Sequence, residues 1–218
     1  PDPRLDIEGP HGLVEGVCRL YRYARIPSAL LADTLPPQRR NVPLEREERL
    51  RDLLAQLGLQ EIWSYRLTGA GREARLLPGA PDDRPYVTLS NPPAPDRNVM
   101  RHSVLSSVLD VAAANSRHAP RIALFEIGPV FLAGEDGPLP DEQSRLAIVL
   151  TGRRQAEDWT NGTPAPTDFY DLKGILDALF AALHLPVTVE AAGHPSYRPG
   201  RTARLMVGEQ QIGVMGEL

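Results

Sequence analysis

Residues 121–132 (RIALFEIGPVFL) form a long, nearly continuous apolar run, and every other element has to be arranged around it. Such a run reads as a strand in the interior of a sheet rather than one facing water. Pro129 cannot donate to a strand ladder, so it places an edge or a bulge in that strand. The flanking segments supply partners. Residues 103–117 carry Val104, Val108 and Val111 with Leu105, Leu109 and Ala112 at three-to-four spacing, which predicts a helix with Ser103 as its N-cap. A strand follows at 145–151. A second helix is expected over 169–184, capped by Asp168 or Thr167, with Asp171 adding negative charge to its first turn.

Toward the N-terminus, Leu13, Val14, Val17, Leu20 and Tyr21 recur at helical spacing over 13–24, and Pro27 ends that helix. Residues 44–57 are strongly amphipathic, with Leu50, Leu53, Leu54 and Leu57 on one face and Gly58 placed to cap the end. Strands are expected at 61–67 and 86–89, separated by a polar Gly/Pro-rich loop over 68–85. The C-terminal part reads as strands at 187–191, 202–207 and 211–215, the last two joined by the hairpin signal Gly208-Glu209-Gln210. Strands cluster in hairpins and helices fall between the clusters, without a βαβ alternation. That order favours an α+β fold on a mainly antiparallel sheet.

Composition narrows the function classes. The 218 residues suit one domain with a small appendage, or two small domains. There are 22 prolines, about twice the usual ~5%, and they gather in stiff loops. The single cysteine, Cys18, excludes an internal disulfide and a cysteine-rich zinc site, and is expected as a small buried hydrophobe. No apolar run approaches the ~20 residues of a membrane span, which suggests a reduced, cytoplasmic setting. A net charge of −4 argues against a free-standing nucleic-acid binder. The chain starts at Pro1 without an initiator Met and stops at Leu218 inside an expected strand, so it reads as a piece of a longer protein.

No catalytic pattern stands out. There is no Gly-rich phosphate loop. His11, His102, His118, His184 and His194 are scattered singly and read as surface or capping residues rather than metal ligands. Arg101-His102-Ser103 sits at a helix start, where capping is the serine's simpler role. Asp168 and Asp171 fit capping, and Asp177 fits a solvated face.

Six blocks, in order, resemble the β chain of bacterial phenylalanyl-tRNA synthetase. They are Arg4-Leu5-Asp6-Ile7 with 13–27; the 44–67 segment ending in Trp63-Ser64-Tyr65; Leu89-Ser90-Asn91-Pro92 running through Met100-Arg101-His102-Ser103 to Asn115; LFEIGPVF at 124–131; DFYDLKG at 168–174; and YRPGRTA at 197–203 with Gly216-Glu217-Leu218. The resemblance implies a class II aminoacyl-tRNA synthetase-like antiparallel sheet flanked by helices, with a short N-terminal helical appendage. It divides the chain into the end of a B5-like domain (1–35), a Pro-rich linker (36–43) and a synthetase-like core (44–218).

Catalytic class II synthetases resemble the fourth block but continue as F-R-x-E. The arginine there meets the ATP α-phosphate, a role suited to a permanently charged, forked guanidinium. Here Leu132 stands at the arginine position and Gly134 at the glutamate position. The resemblance therefore implies a core without catalytic or cofactor-binding residues. Its expected work is to support a catalytic α chain in an (αβ)₂ assembly, where ATP and magnesium serve phenylalanine–tRNA ligation and tRNA(Phe) is reached through the whole enzyme. The 103–117 helix resembles the class II interface element, with Ser103, Ser106, Leu109, Ala113 and Asn115 as candidate partner contacts. A family Mg²⁺ site would draw on Asp6 and Glu15, but Gly12 and Gly16 replace its other acids, so no metal site is expected. Arg153, Arg154, Arg198 and Arg201 are the candidate phosphate contacts, and solvated surface is the simpler reading for most. Two other classes stay open: an active class II-like ligase paralogue and a stand-alone nucleic-acid-binding module.

Overall fold

A computed structural model describes residues 7, 9–30, 32, 37, 39–80, 82–134, 139–155, 157–160 and 162–218. The chain divides into two compact units, Pro1–Arg40 and Asn41–Leu218.

The first unit contains α1 (Pro10–Tyr21), which starts with proline at a position where the missing N–H costs nothing, and a 3-10 turn at Tyr23–Arg25. The apolar face expected over 13–24 does not become a core. Leu13, Val14, Val17, Leu20 and Tyr21 are all exposed, α1 has no buried residue, and Cys18 is only half-buried. Among the described residues of this unit, nothing buries that stripe.

The second unit is built on β4 (Arg121–Leu132), which pairs antiparallel with β5 (Asp141–Gly152) in unbroken register from Arg121↔Gly152 to Leu132↔Asp141. On its other side β4 takes, among the described residues, only the short parallel strand β1 (Gln60–Glu61), opposite Leu124 and Phe125. Pro129 thus lies where β4 has no strand neighbour on one side, and no bulge is needed. The remaining expectation, an antiparallel sheet, holds except at β1.

Alternation along β4 sends its side chains into two cores. Ile122, Leu124 and Val130, with Ala147, pack under Val104, Val108 and Ala112 of α4 (Val104–Asn115). Phe125 and Ile127 point the other way. They pack with Leu54 of α2 (Val42–Gln56), with Leu59 beyond it, and with Leu179 of α5 (Phe169–Ala182). Asn41 caps α2, and Gly58, at φ +85, adopts the left-handed conformation that ends it.

Helix α5 is apolar on more than one side because it serves two sheets. Ile175, Leu179 and Leu183 face β4, while Leu172, Leu176 and Phe180 pack on the sheet of β6 (Val187–Ala191), β7 (Thr202–Val207) and β8 (Gln210–Gly216). Gly208 and Glu209 form the two-residue turn between β7 and β8, as the sequence suggests. Leu218 lies just past β8 rather than inside a strand.

Two expectations change between α2 and α4. Of the strand expected at 61–67, β1 and Leu67 lie in named strands; Ile62 N–H still donates to the Phe125 carbonyl and the Arg66 carbonyl accepts from Arg101 N–H, and Ser64 points inward while Trp63 and Tyr65 face solvent. Leu67–Thr68 forms β2, which pairs with β3 (Val99–Met100). The expected strand at 86–89 is reduced to a short antiparallel pairing, a bridge between Thr88 and Val99 flanked by the hydrogen bonds Leu89 N–H to the Asn98 carbonyl and Met100 N–H to the Val87 carbonyl. The segment 68–85 is not plain loop. It holds the one-turn helix α3 (Ala70–Glu73), a 3-10 turn at Ala74–Leu76, and the buried Glu73.

Candidate functional site

Arg101 and Glu126 lie at the centre of the α4 side of the sheet, with side chains 1% and 6% exposed. Arg101 Nη1 donates to Glu126 Oε1 at 2.8 Å and to Ser64 Oγ at 2.9 Å, and Nε donates to the carbonyl of Pro129 at 2.9 Å. Ser64 in turn donates to Glu126 Oε2 at 2.5 Å. The Arg101 carbonyl accepts from the Phe131 N–H. The segment at Arg101 therefore closes the side of β4 that Pro129 leaves without a strand.

Gly128 makes this possible. A Cβ there would stand 2.3 Å from Arg101 Nη2 and 3.1 Å from Glu126 Oε1. Three sequence blocks separated along the chain, WSY, MRHS and LFEIGPVF, meet in this one cluster. A charge pair this deep survives because each charge is matched and its remaining hydrogen-bonding capacity is used.

Glu73 anchors the start of α4. Its carboxylate accepts from the backbone N–H groups of His102 and Ser103 at 2.9 and 3.2 Å, and from Ser106 Oγ at 3.3 Å. Ser103 caps the helix by accepting from Leu105 N, as expected. A negative charge at a helix N-terminus is favourable. Nothing in the sequence marks Glu73, because its partners lie about thirty residues away.

The named surface residues of α4 separate into two sets. Ser106 is buried, and its hydroxyl is occupied by Glu73 and by the Ser103 carbonyl. It is thus not offered outward, because the face it occupies is the one packed inside. Leu109 is half-buried, Ala113 and Asn115 are exposed, and Asn115 Nδ2 donates back to the Val111 carbonyl. Leu109 and Ala113, with Leu105, Ile148 and Leu150, line a groove of about 470 Å³ between α4, β5 and the chain's C-terminal residues.

At the far end of β4, Phe131 is buried and Leu132 is half-buried, paired with Asp141. Gly134 follows on the exposed stretch beyond it. No guanidinium is present at either of these two positions.

The family model described as the phenylalanyl tRNA synthetase beta chain CLM domain matches residues 26–218. The chain belongs to this family. Phenylalanine–tRNA ligase beta subunits of Syntrophus aciditrophicus (strain SB), Geobacillus kaustophilus (strain HTA426) and Chromobacterium violaceum are 36%, 34% and 36% identical to it over its full length. The chain spans 27% of the length of each of these relatives. Among solved structures, pyrrolysyl-tRNA synthetases of Desulfitobacterium hafniense align over 94% and 92% of the chain. They cover 65% and 64% of those proteins, with TM-scores of 0.56 and 0.55 at 16% identity. That likeness establishes the class II synthetase fold.

Within the family frame, the other sequence candidates fall as follows. Asp6 lies outside the described residues, and Glu15 is an exposed residue of α1. The arginines considered for phosphate contact mostly have carboxylate partners. Arg153 pairs with Glu157, and Arg154 pairs with Asp168 at 3.1 Å and Asp171 at 2.7 Å. Arg201 pairs with Glu217 at 2.6 Å, and Arg198 is exposed. Asp168 caps α5 in a reciprocal capping box with Asp171, and Asp177 pairs with Lys173 on the solvent side. His184 occupies a left-handed position just past α5, a capping role, whereas His102 is buried rather than at the surface. No helix of the described residues is long and apolar enough to cross a membrane.

Proposed function

We propose that this chain is a synthetase-fold module that performs no ATP chemistry itself and instead holds the catalytic α chain of phenylalanyl-tRNA synthetase in an (αβ)₂ assembly, in the cytoplasm. The observation that carries the proposal is Leu132. It ends a β4 strand whose ion pair, glycine and proline are otherwise intact, and it stands where catalytic relatives carry the arginine that meets ATP. A leucine offers no positive charge to a phosphate. Holding α-chain surface is the remaining task for such a frame, and the Leu109–Ala113 groove, apolar along α4 and β5 and polar toward Asp168, Arg198 and Glu217, is open enough to take a partner's side chains. ATP, magnesium and tRNA(Phe) are then handled by the whole enzyme. Magnesium is not expected to bind here, since Glu15 has lost the acids that would accompany it at Gly12 and Gly16.

Two measurements test this reading. The complete subunit purified without its α chain should show no phenylalanine-dependent ATP–pyrophosphate exchange, and clear exchange overturns the claim. In the full assembly, Leu109→Arg with Ala113→Arg should weaken co-purification of the α chain at least about tenfold, given what a desolvated unpaired charge costs an interface. Unchanged assembly removes α4 from the interface.

A further inference from the structure

The turn at 194–197 is tied to two other elements, and one imidazole sits at the junction of the ties. The His194 carbonyl accepts from the Tyr197 N–H at 3.1 Å, which closes the turn. The half-buried His194 ring accepts at Nδ1 from the Ser196 N–H at 3.2 Å. The Ser196 hydroxyl then reaches the 3-10 turn at Ala74–Leu76 and donates to the Leu76 carbonyl. Tyr197, whose ring centroid is 4.8 Å from that of His194, packs on β8, where a Cβ on Gly216 would stand 2.7 Å from its Cγ. The bond from Ser196 to Leu76 thus joins two walls of a cleft of about 290 Å³.

A ring nitrogen that accepts from a backbone N–H carries no proton, so in this turn the neutral imidazole has its proton on Nε2. A second proton at Nδ1 would set one N–H against another and remove the acceptor. Burial lowers the His194 imidazole below its ordinary value, and no neighbouring charge counters that. The titratable groups across the cleft are engaged elsewhere. Glu73 accepts from the His102 and Ser103 N–H groups and from the Ser106 and Tyr86 hydroxyls. Asp82 is held by Arg84 through Nε at 2.8 Å and Nη2 at 2.6 Å, and it meets His102 Nδ1 at 3.1 Å. On the turn itself, burial raises the Tyr197 phenol, which therefore stays neutral. From β8 the cleft receives only the apolar Val214.

We propose that His194 is a proton-operated latch: neutral, it holds the 194–197 turn closed and keeps Ser196 on Leu76, and protonated, it releases both. The open turn takes up the proton more readily than the closed one. Closure is therefore complete above about pH 6.5, the ordinary histidine value, and is lost as pH falls below it. An asparagine side-chain oxygen accepts from the N–H two residues on, the same bond that His194 makes, and does not titrate. His194→Asn thus keeps the latch and removes its dependence on protons.

Hydrogen–deuterium exchange of the complete protein that carries this chain, corrected for the intrinsic effect of pH, reads the latch at pH 8 and pH 5.5. In the unmodified protein, opening over 194–200 and over 74–80 should rise together at pH 5.5 by several-fold, up to about tenfold, because that pH lies one unit below the ordinary histidine value. His194→Asn should show no such rise. Ser196→Ala should keep the rise over 194–200 and lose it over 74–80. An equal rise in His194→Asn assigns the opening to other groups and overturns the proposal. So does unchanged protection in the unmodified protein, or a rise there that is confined to 194–200, and these two results need no variant to fold.

Discussion

Gly128 shows how much one missing methyl can decide. The guanidinium of Arg101 occupies the space above it and is fixed by bonds to Glu126, Ser64 and the Pro129 carbonyl, so it has little freedom to step aside. Gly128→Ala is expected to cost about 1–3 kcal/mol through overpacking, measured by denaturant titration. Arg101→Met should cost more, about 3–5 kcal/mol, because it strands the Glu126 carboxylate in the core. Arg101→Met combined with Glu126→Leu should recover much of that loss, since no charge is then buried alone. If the double variant is no more stable than the single one, the cluster's value lies in packing rather than charge matching. A pH effect belongs to the same scale. Burial, with the Glu73 charge beside it, pushes the Tyr86 phenol up to about 12. The folded protein thus keeps this proton where the unfolded chain, near its ordinary value of about 10, has released it. The stability linked to Tyr86 is complete below about pH 10 and falls as pH rises toward 12. Tyr86→Phe should flatten that alkaline slope in thermal melts recorded across the window. A slope identical to the parent's would assign the effect to other groups.

The helices behave according to what their ends and neighbours supply. Helix α5 begins with both halves of a capping box and has Arg154 across its first turn. Asp168→Ala should therefore destabilise the fold by about 1 kcal/mol, with Asp168→Asn close to the parent, as read by the denaturation midpoint. Capping residues of this kind are local, and for that reason Asp168, Asp171, Ser103 and Gly58 were all legible in the sequence. Helix α4 is different. Its own cap is Ser103, but Glu73 from a distant one-turn helix also binds its first N–H groups. No local pattern announces a carboxylate delivered from thirty residues away, so Glu73 and the buried state of His102 emerged only from the assembled fold. Helix α1 carries the converse lesson. Its apolar periodicity correctly marked a helix, yet periodicity cannot say whether a partner buries the stripe, and among the described residues of its own unit none does.

For the molecule as a whole, β4 is the axis, and its two faces feed two separate cores. Leu54→Ala and Leu179→Ala, both fully buried against Phe125, should each cost about 2–5 kcal/mol, and the pair should add less than the sum because they share one cluster. An additive pair would mean the two sites relax independently. By itself, the sequence determined the order of the main elements outside the α2–α4 stretch, the apolar strand at 121–132, the helix caps, and, through the LFEIGPVF, MRHS and DFYDLKG blocks, the family. Each of those is written in local spacing or in contiguous residues. Tertiary structure alone decided that Arg101, Glu126, Ser64 and Gly128 form one buried cluster, that Glu73 anchors α4, and that His102 is buried. Those facts depend on which residues chain reversal brings together in a space without water, where an unmatched charge or acceptor is expensive and every polar group must find a partner that its sequence neighbours do not provide.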